Sequence, residues 1–241
     1  TNPVGEITKN DVTGNYYLWF KVIDNASNET IIRTSLLSLD KDAPVVNIIN
    51  IATVIPKTSQ QSVIDINDVS NLNIKYIWST SNTELPINGE WTSWNDYSIN
   101  NNSLILDSDY EDGIYYLHLL AIDEAGNETY SISNSYTLVN SKPTITMNPA
   151  TTLDYALEIN STVTASINNA TITNLYYAWS TSTNENDVTT WEMFNSGDTL
   201  SKNDTTGNYY LYIKTIDNVD GGRTTIKRST GTFNLDKTNV N

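Results

Sequence analysis

Few side chains in this chain could carry chemistry. His118 is the single histidine, and there is no cysteine, so no thiolate nucleophile, thiolate metal ligand or disulfide is available. By strand parity His118 falls on the outward side of its segment, where a solvated or loosely packed imidazole is expected rather than a general base. The acidic pairs Asp107 with Asp109 and Glu111 with Asp112 could do acid–base work, but they lie in polar turn sequence with no substrate-pocket companion. No catalytic residue is therefore expected, and the chain reads as a non-enzyme. Oxygen ligands for a hard cation are the sharper possibility: Asp40 and Asp42 share one short segment, and Asp123 and Asp217 recur at one turn, as does Asp24. Against calcium, Asn140 stands where Asp40 does, and no EF-hand spacing appears. No other cofactor is implied. Trp91, Trp94, Tyr97 and Trp191 could stack on a glycan; the competing role is to plug the open side of a packed domain.

The elements that would position these residues are repeated. Gly14-Asn15-Tyr16-Tyr17-Leu18, Gly113-Ile114-Tyr115-Tyr116-Leu117 and Gly207-Asn208-Tyr209-Tyr210-Leu211 open three related stretches, and their glycines lie 99 and 94 residues apart. That spacing is the length of a small β-sandwich rather than of a solenoid turn. Alternation puts Tyr115, Leu117, Leu119 and Ala121 on a core face, matched by Tyr16, Leu18, Phe20 and Val22 and by Tyr209, Leu211, Ile213 and Thr215. The opposite face, with Tyr116, His118 and Leu120, reads as solvated.

Ahead of this motif the second copy reads as strands at Val45–Ile49, Val63–Ile66 and Leu72–Trp78, then a polar loop with Pro86 and Gly89, then Ser103–Leu106. A last strand is expected around Tyr130 to Val139. The third copy answers with Leu175, Tyr177 and Trp179. Hand-overs fall at Asp40-Lys41-Asp42-Ala43-Pro44 and Asn140-Ser141-Lys142-Pro143, where proline favours an extended entry. The expected organisation is an incomplete C-terminal half-repeat over 1–42 and full repeats over 43–141 and 142–241. The half-repeat would leave an apolar face uncovered, to be completed by upstream sequence or by another chain.

Composition bounds the partners. A net charge of −15 and a pI near 4.2 oppose binding to nucleic-acid phosphates or an anionic membrane surface. No apolar run approaches a membrane span. Six Trp and fifteen Tyr against three Phe suit half-buried strands with a wet outer side.

These motifs carry a resemblance. Asp112-Gly113-Ile114-Tyr115 resembles the tyrosine corner of immunoglobulin-like sandwiches, with Leu117 where an antibody domain has its second cysteine and Trp78 and Trp179 like the buried Trp of strand C. Tyr76 to Ser81, Gly113 to Leu117, Asp123 to Asn127 and Leu39 to Pro44 together resemble the immunoglobulin-like repeats of large bacterial cell-surface and adhesin-type proteins. The resemblance implies an all-β chain of tandem antiparallel sandwiches, about seven strands each and without a disulfide. It also implies an extracellular place at the cell surface or wall and a stalk or spacer role, with neighbouring repeats of the same protein as partners. An adhesin-type module for carbohydrate or host protein, or an accessory region of a secreted enzyme, are the other roles it leaves open.

Overall fold

The structure, a computed structural model, describes residues 5–50, 55–83 and 90–238. They fall into two compact units, one of Thr1–Asn50, Val63–Ser103 and Leu117–Ser133, the other of Ile51–Ser62, Leu104–Tyr116 and Asn134–Asn241. The Pro86 and Gly89 loop lies outside the described residues.

The second unit holds a complete sandwich. Thr144–Asn148, Ile159–Ser166 and Thr199–Lys202 form an antiparallel three-stranded sheet. The facing sheet runs Tyr155–Ala156, Phe233–Leu235, Gly207–Asp217, Ile172–Ser180, Glu192–Met193, with Arg223–Arg228 also on Gly207–Asp217. Buried and exposed residues alternate along Ile159–Ser166, as a strand with one dry face requires. The dry faces meet in a core containing Ile145, Val163, Leu200, Leu211, Ile213 and Phe233. This is a disulfide-free immunoglobulin-like sandwich. Trp179 stands opposite Leu211 in register, and its ring meets Phe233 edge-on at 5.0 Å.

In the first unit Leu72–Ser79 pairs with Thr92–Ser93, and His118–Ile122 pair with Glu128–Ile132. Ile74, Trp78, Leu117, Leu119 and Ala121 are buried. The same unit contains the hairpin Trp19–Ile23 with Glu29–Arg33, and Gly14–Tyr16 paired with Leu37–Leu39. These strands keep their apolar side chains in water: Trp19 is 60% exposed, and Val22, Ile31 and Ile32 are more than half exposed. Val22, expected in a core, is therefore on an open face.

Two small devices hold each copy of the repeated strand. Each corner tyrosine donates its hydroxyl to the carbonyl four residues back: Tyr16 to Val12 at 2.8 Å, Tyr115 to Glu111 at 2.9 Å, Tyr209 to Thr205 at 2.8 Å. The ring lies so close to the backbone that a Cβ at Gly113 would stand 3.1 Å from Tyr115, and one at Gly207 3.2 Å from Tyr209. Any larger residue would press the ring back by a few tenths of an ångström.

The second device corrects the expectation of one closing strand at 130–139. Glu128–Ile132 pairs with the far half of Gly113–Asp123, whereas Tyr136–Leu138 pairs with Gly113–Tyr115. At the break, Leu117 N–H donates to Ser133 Oγ at 2.7 Å, and Ser133 N–H returns to Leu117 O at 2.9 Å. Leu211 does the same with Ser229, at 3.2 and 2.8 Å, and Leu18 with Thr34, at 3.1 and 2.9 Å. The hydroxyl satisfies a buried amide that the interrupted strand cannot reach.

His118 is a second correction. It is 0% exposed, not solvated. Its Nε2 lies 2.7 Å from Ser81 O, and a carbonyl only accepts, so Nε2 carries a proton and donates it there, while Nδ1 is hydrogen-bonded to the Tyr130 hydroxyl. Tyr212, at the equivalent position and 1% exposed, donates to Ser182 O at 2.9 Å. Ser81 and Ser182 end the two Trp-Ser-Thr-Ser runs. The carbonyl at the end of each run meets the supposedly wet face, and the side chain beneath supplies its hydrogen bond.

Ser133→Ala and Ser229→Ala should each lower stability by about 1–3 kcal/mol, because a buried amide loses its acceptor. The exposed control Ser201→Ala should stay within about 0.5 kcal/mol. Urea unfolding midpoints measure both, and a Ser133→Ala midpoint equal to the control's would contradict the role given to the hydroxyl.

Candidate functional site

Aspartate at the turn after the long strand is first a turn organiser. In the first copy Asp24 accepts from the Ala26 and Asn28 amides and from Asn28 Nδ2. In the second, Asp123 accepts from Asn127 N and Nδ2, both at 2.7 Å. Burial pushes the Asp123 carboxyl up, but hydrogen bonds from the Asn127 side chain and from the Asn127, Gly126 and Ala125 amides outweigh it and hold the group below the usual carboxylate range. A buried anion kept charged in this way attracts a cation.

Asp123 has company. Carboxylate oxygens of Asp40, Asp68 and Asp123 lie within 4.8 Å of one another. Asp123 is 6% exposed, and Oδ2 of Asp40 is buried with no hydrogen-bond partner. Asp68 is held by the Ser70 amide and hydroxyl, at 2.8 and 2.9 Å. The side-chain amide of Asn127 also reaches Asp40 O at 3.4 Å. A cleft lined by Asn15, Asp40, Ser70, Asn71 and Glu124 opens beside the cluster. Like charges this close repel, so the arrangement favours a divalent cation with oxygen ligands.

Of the aspartates that the sequence nominates for calcium, the structure brings Asp40 and Asp123 together. Asp42 is exposed and only donates its amide to Asp40 Oδ1, at 3.2 Å. Asp217 is 0% exposed and already has a cation, Arg223, with Nε 3.1 Å from its Oδ2. Sequence reading missed Asp68, whose only local signal is an Asp-x-Ser turn, and missed Arg223, whose partner sits six residues earlier across an enlarged turn.

The aromatic candidates are mostly spoken for. Trp94 is 6% exposed, packed edge-on against Tyr76 and Tyr97. Tyr97 hydroxyl accepts from Ile66 N at 2.8 Å. Trp94 thus has no ring face open to a sugar. Trp191 donates to Val188 O at 3.1 Å and lies under Lys214 Nζ at 4.5 Å. Trp91 is half-buried. The acidic pairs are structural as well: Asp107 caps the Asp109 amide at 3.2 Å, and Asp112 accepts from the amides of Asn140 and Ser141.

No helix among the described residues is long and apolar enough to cross a membrane. No family model matches the chain, and no curated protein matches it. Among solved structures the chain is similar to the FN1-FN3 domains of chicken CNTN1, at 9% identity over 88% of this chain and 77% of that one, with a TM-score of 0.29. It is similar to the amphioxus IgVJ-C2 molecule at 17% identity, 73% and 98% coverage and a TM-score of 0.32. A tetra-tandem repeat from the extending region of a large adhesion protein is 15% identical, with 94% of this chain and 58% of that one covered and a TM-score of 0.33.

Proposed function

We propose that the chain is a structural spacer segment of a bacterial cell-surface protein. In this reading repeats 43–141 and 142–241, with 1–42 as the C-terminal half of another, project a functional region away from the cell. One observation carries the reading: what the copies share is spent on their own packing. The corner tyrosines, the strand glycines, the core leucines and the Ser or Thr hydroxyls all bond or pack within their own copy. The shared turn aspartates also organise their own backbone. Selection for a common ligand would instead repeat an outward-facing group. Neighbouring repeats are the partners, and the acidic surface keeps nucleic acid and anionic lipid away.

The test is direct: labelled 1–241 is applied to a glycan array and to immobilised extracellular-matrix proteins. The spacer reading expects no saturable binding. Saturable binding that is lost in Trp91→Ala would transfer the chain to the adhesin-type reading.

A second reading concerns calcium. The Asp40, Asp68 and Asp123 carboxylates, with the buried unpaired Oδ2 of Asp40, have the donor set and charge of a hard-cation site. Carbonyl and water oxygens would complete six to eight ligands. Binding to the folded form alone raises stability by mass action. Millimolar calcium should therefore raise the melting temperature of 1–241, a chelator should reverse the shift, and Asp68→Asn should abolish it. A melting temperature indifferent to calcium would remove this reading.

A further inference from the structure

The turn that closes the third copy of the long strand is enlarged. Three residues separate Asp24 from Asn28 and Asp123 from Asn127, whereas five separate Asp217 from Arg223. The extra residues form a short 3-10 turn, Val219–Gly221, with Val219 fully buried. They also carry two charged side chains into contact with sequence far away. Asp220 N donates to Pro56 O at 2.9 Å, while the Asp220 carboxylate accepts from Thr58 N at 3.2 Å and Thr58 Oγ1 at 2.8 Å. Arg223, anchored on Asp217, donates to Asn140 O at 3.3 Å and to Ser141 O at 2.5 Å.

Asn140 and Ser141 are the hand-over residues between repeats, and they are gripped from the other side too. Asp112 accepts from Asn140 N at 2.5 Å and from Ser141 N at 3.1 Å. A carboxylate thus takes both amides of the linker dipeptide, and a guanidinium takes both carbonyls. Burial pushes the Asp112 carboxyl up, but the Asn140 and Ser141 hydrogen bonds and the Arg223 charge outweigh it and leave the group below its usual range.

The equivalent hand-over in the first unit shows what the charges add. There the position of Asp112 is held by Thr13, whose hydroxyl accepts a single bond, from Lys41 N at 2.9 Å. The position of Arg223 is held by Asn127, which reaches Asp40 O only at 3.4 Å. At the chain's last hand-over Thr206 takes Lys237 N in the same manner as Thr13. The fork of an arginine and two charge-assisted contacts fix a peptide more firmly than one neutral hydroxyl.

We infer that Asp112, Arg223 and the 217–223 turn form a built-in electrostatic lock on the 140–141 linker, which holds this joint in one geometry without any metal. The inference deepens the spacer reading and rests on it for its purpose: one stiff joint sets the direction in which the next repeat projects.

Because the chain has no cysteine, the pair Ile105→Cys and Thr164→Cys can be spin-labelled cleanly, both positions being exposed. Pulsed dipolar spectroscopy on the labelled 1–241 chain should give a single narrow distance peak, unchanged by calcium or chelator. Asp112→Thr with Arg223→Asn, which installs the residues of the Asp40 joint, should lose that peak to a broad distribution. Asp220→Ala alone, which leaves the Asp217–Arg223 pair intact, should broaden it partly, and the far-ultraviolet melt of each variant confirms that the repeats remain folded. A parent distribution that is already broad, or a double variant as narrow as the parent, would overturn the lock. A narrow parent peak in a chain that binds a ligand saturably would leave the lock standing and remove the spacer reading.

Discussion

A buried main-chain amide with no strand to pair with is the constraint around which each repeat is arranged. The long strand must lie in the core, as the full burial of Leu117 and Leu211 shows, yet the strand that closes the sheet breaks beside that leucine. Without a partner, the amide there would cost about 1–3 kcal/mol, a large share of an ordinary domain's stability. Ser133, Ser229 and Thr34 supply the missing acceptor. With it in place the closing strand can change direction, the tyrosine corner can seal the start of the long strand, and the sheets can meet without a disulfide.

Electrostatics then distinguishes copies that packing makes alike. After the long strand, each copy places an aspartate that holds its own turn. What surrounds it differs: Asp123 lies with Asp40 and Asp68 and a neutral Asn127, whereas Asp217 lies with Arg223. The first arrangement is short of positive charge. The second carries its cation as a side chain, and uses the same guanidinium to hold the Asn140 and Ser141 carbonyls. One sequence framework therefore surrounds the same turn aspartate in two ways, with further carboxylates in one copy and with an arginine in the next.

The core face, the corner tyrosines and the strand–turn rhythm were legible in the sequence because they follow from a period of two and from glycine and proline placement. The failures have a common physical cause. Parity assigns a side chain to a face of its own strand but does not say what else covers that face, so His118 read as wet when Ser81 meets it. The break at Ser133 was hidden because serine suits a strand's outer face as well as a hydroxyl bracket. Asp68 joins Asp40 and Asp123 only through the tertiary fold, across separations of 28 and 55 residues that no local pattern encodes. Arg223 was visible as a residue, but its role depends on the two extra residues of the turn before it.

The proposed reading of the chain as a string of repeats that hold distance is tested most directly by pulling it from its two ends in single-molecule force spectroscopy. Two unfolding events are predicted, each releasing on the order of 30 nm of chain, as expected for a repeat of this length at about 3.5 Å per residue. A single cooperative event releasing about twice that length, or extension with no resisting step, would contradict it.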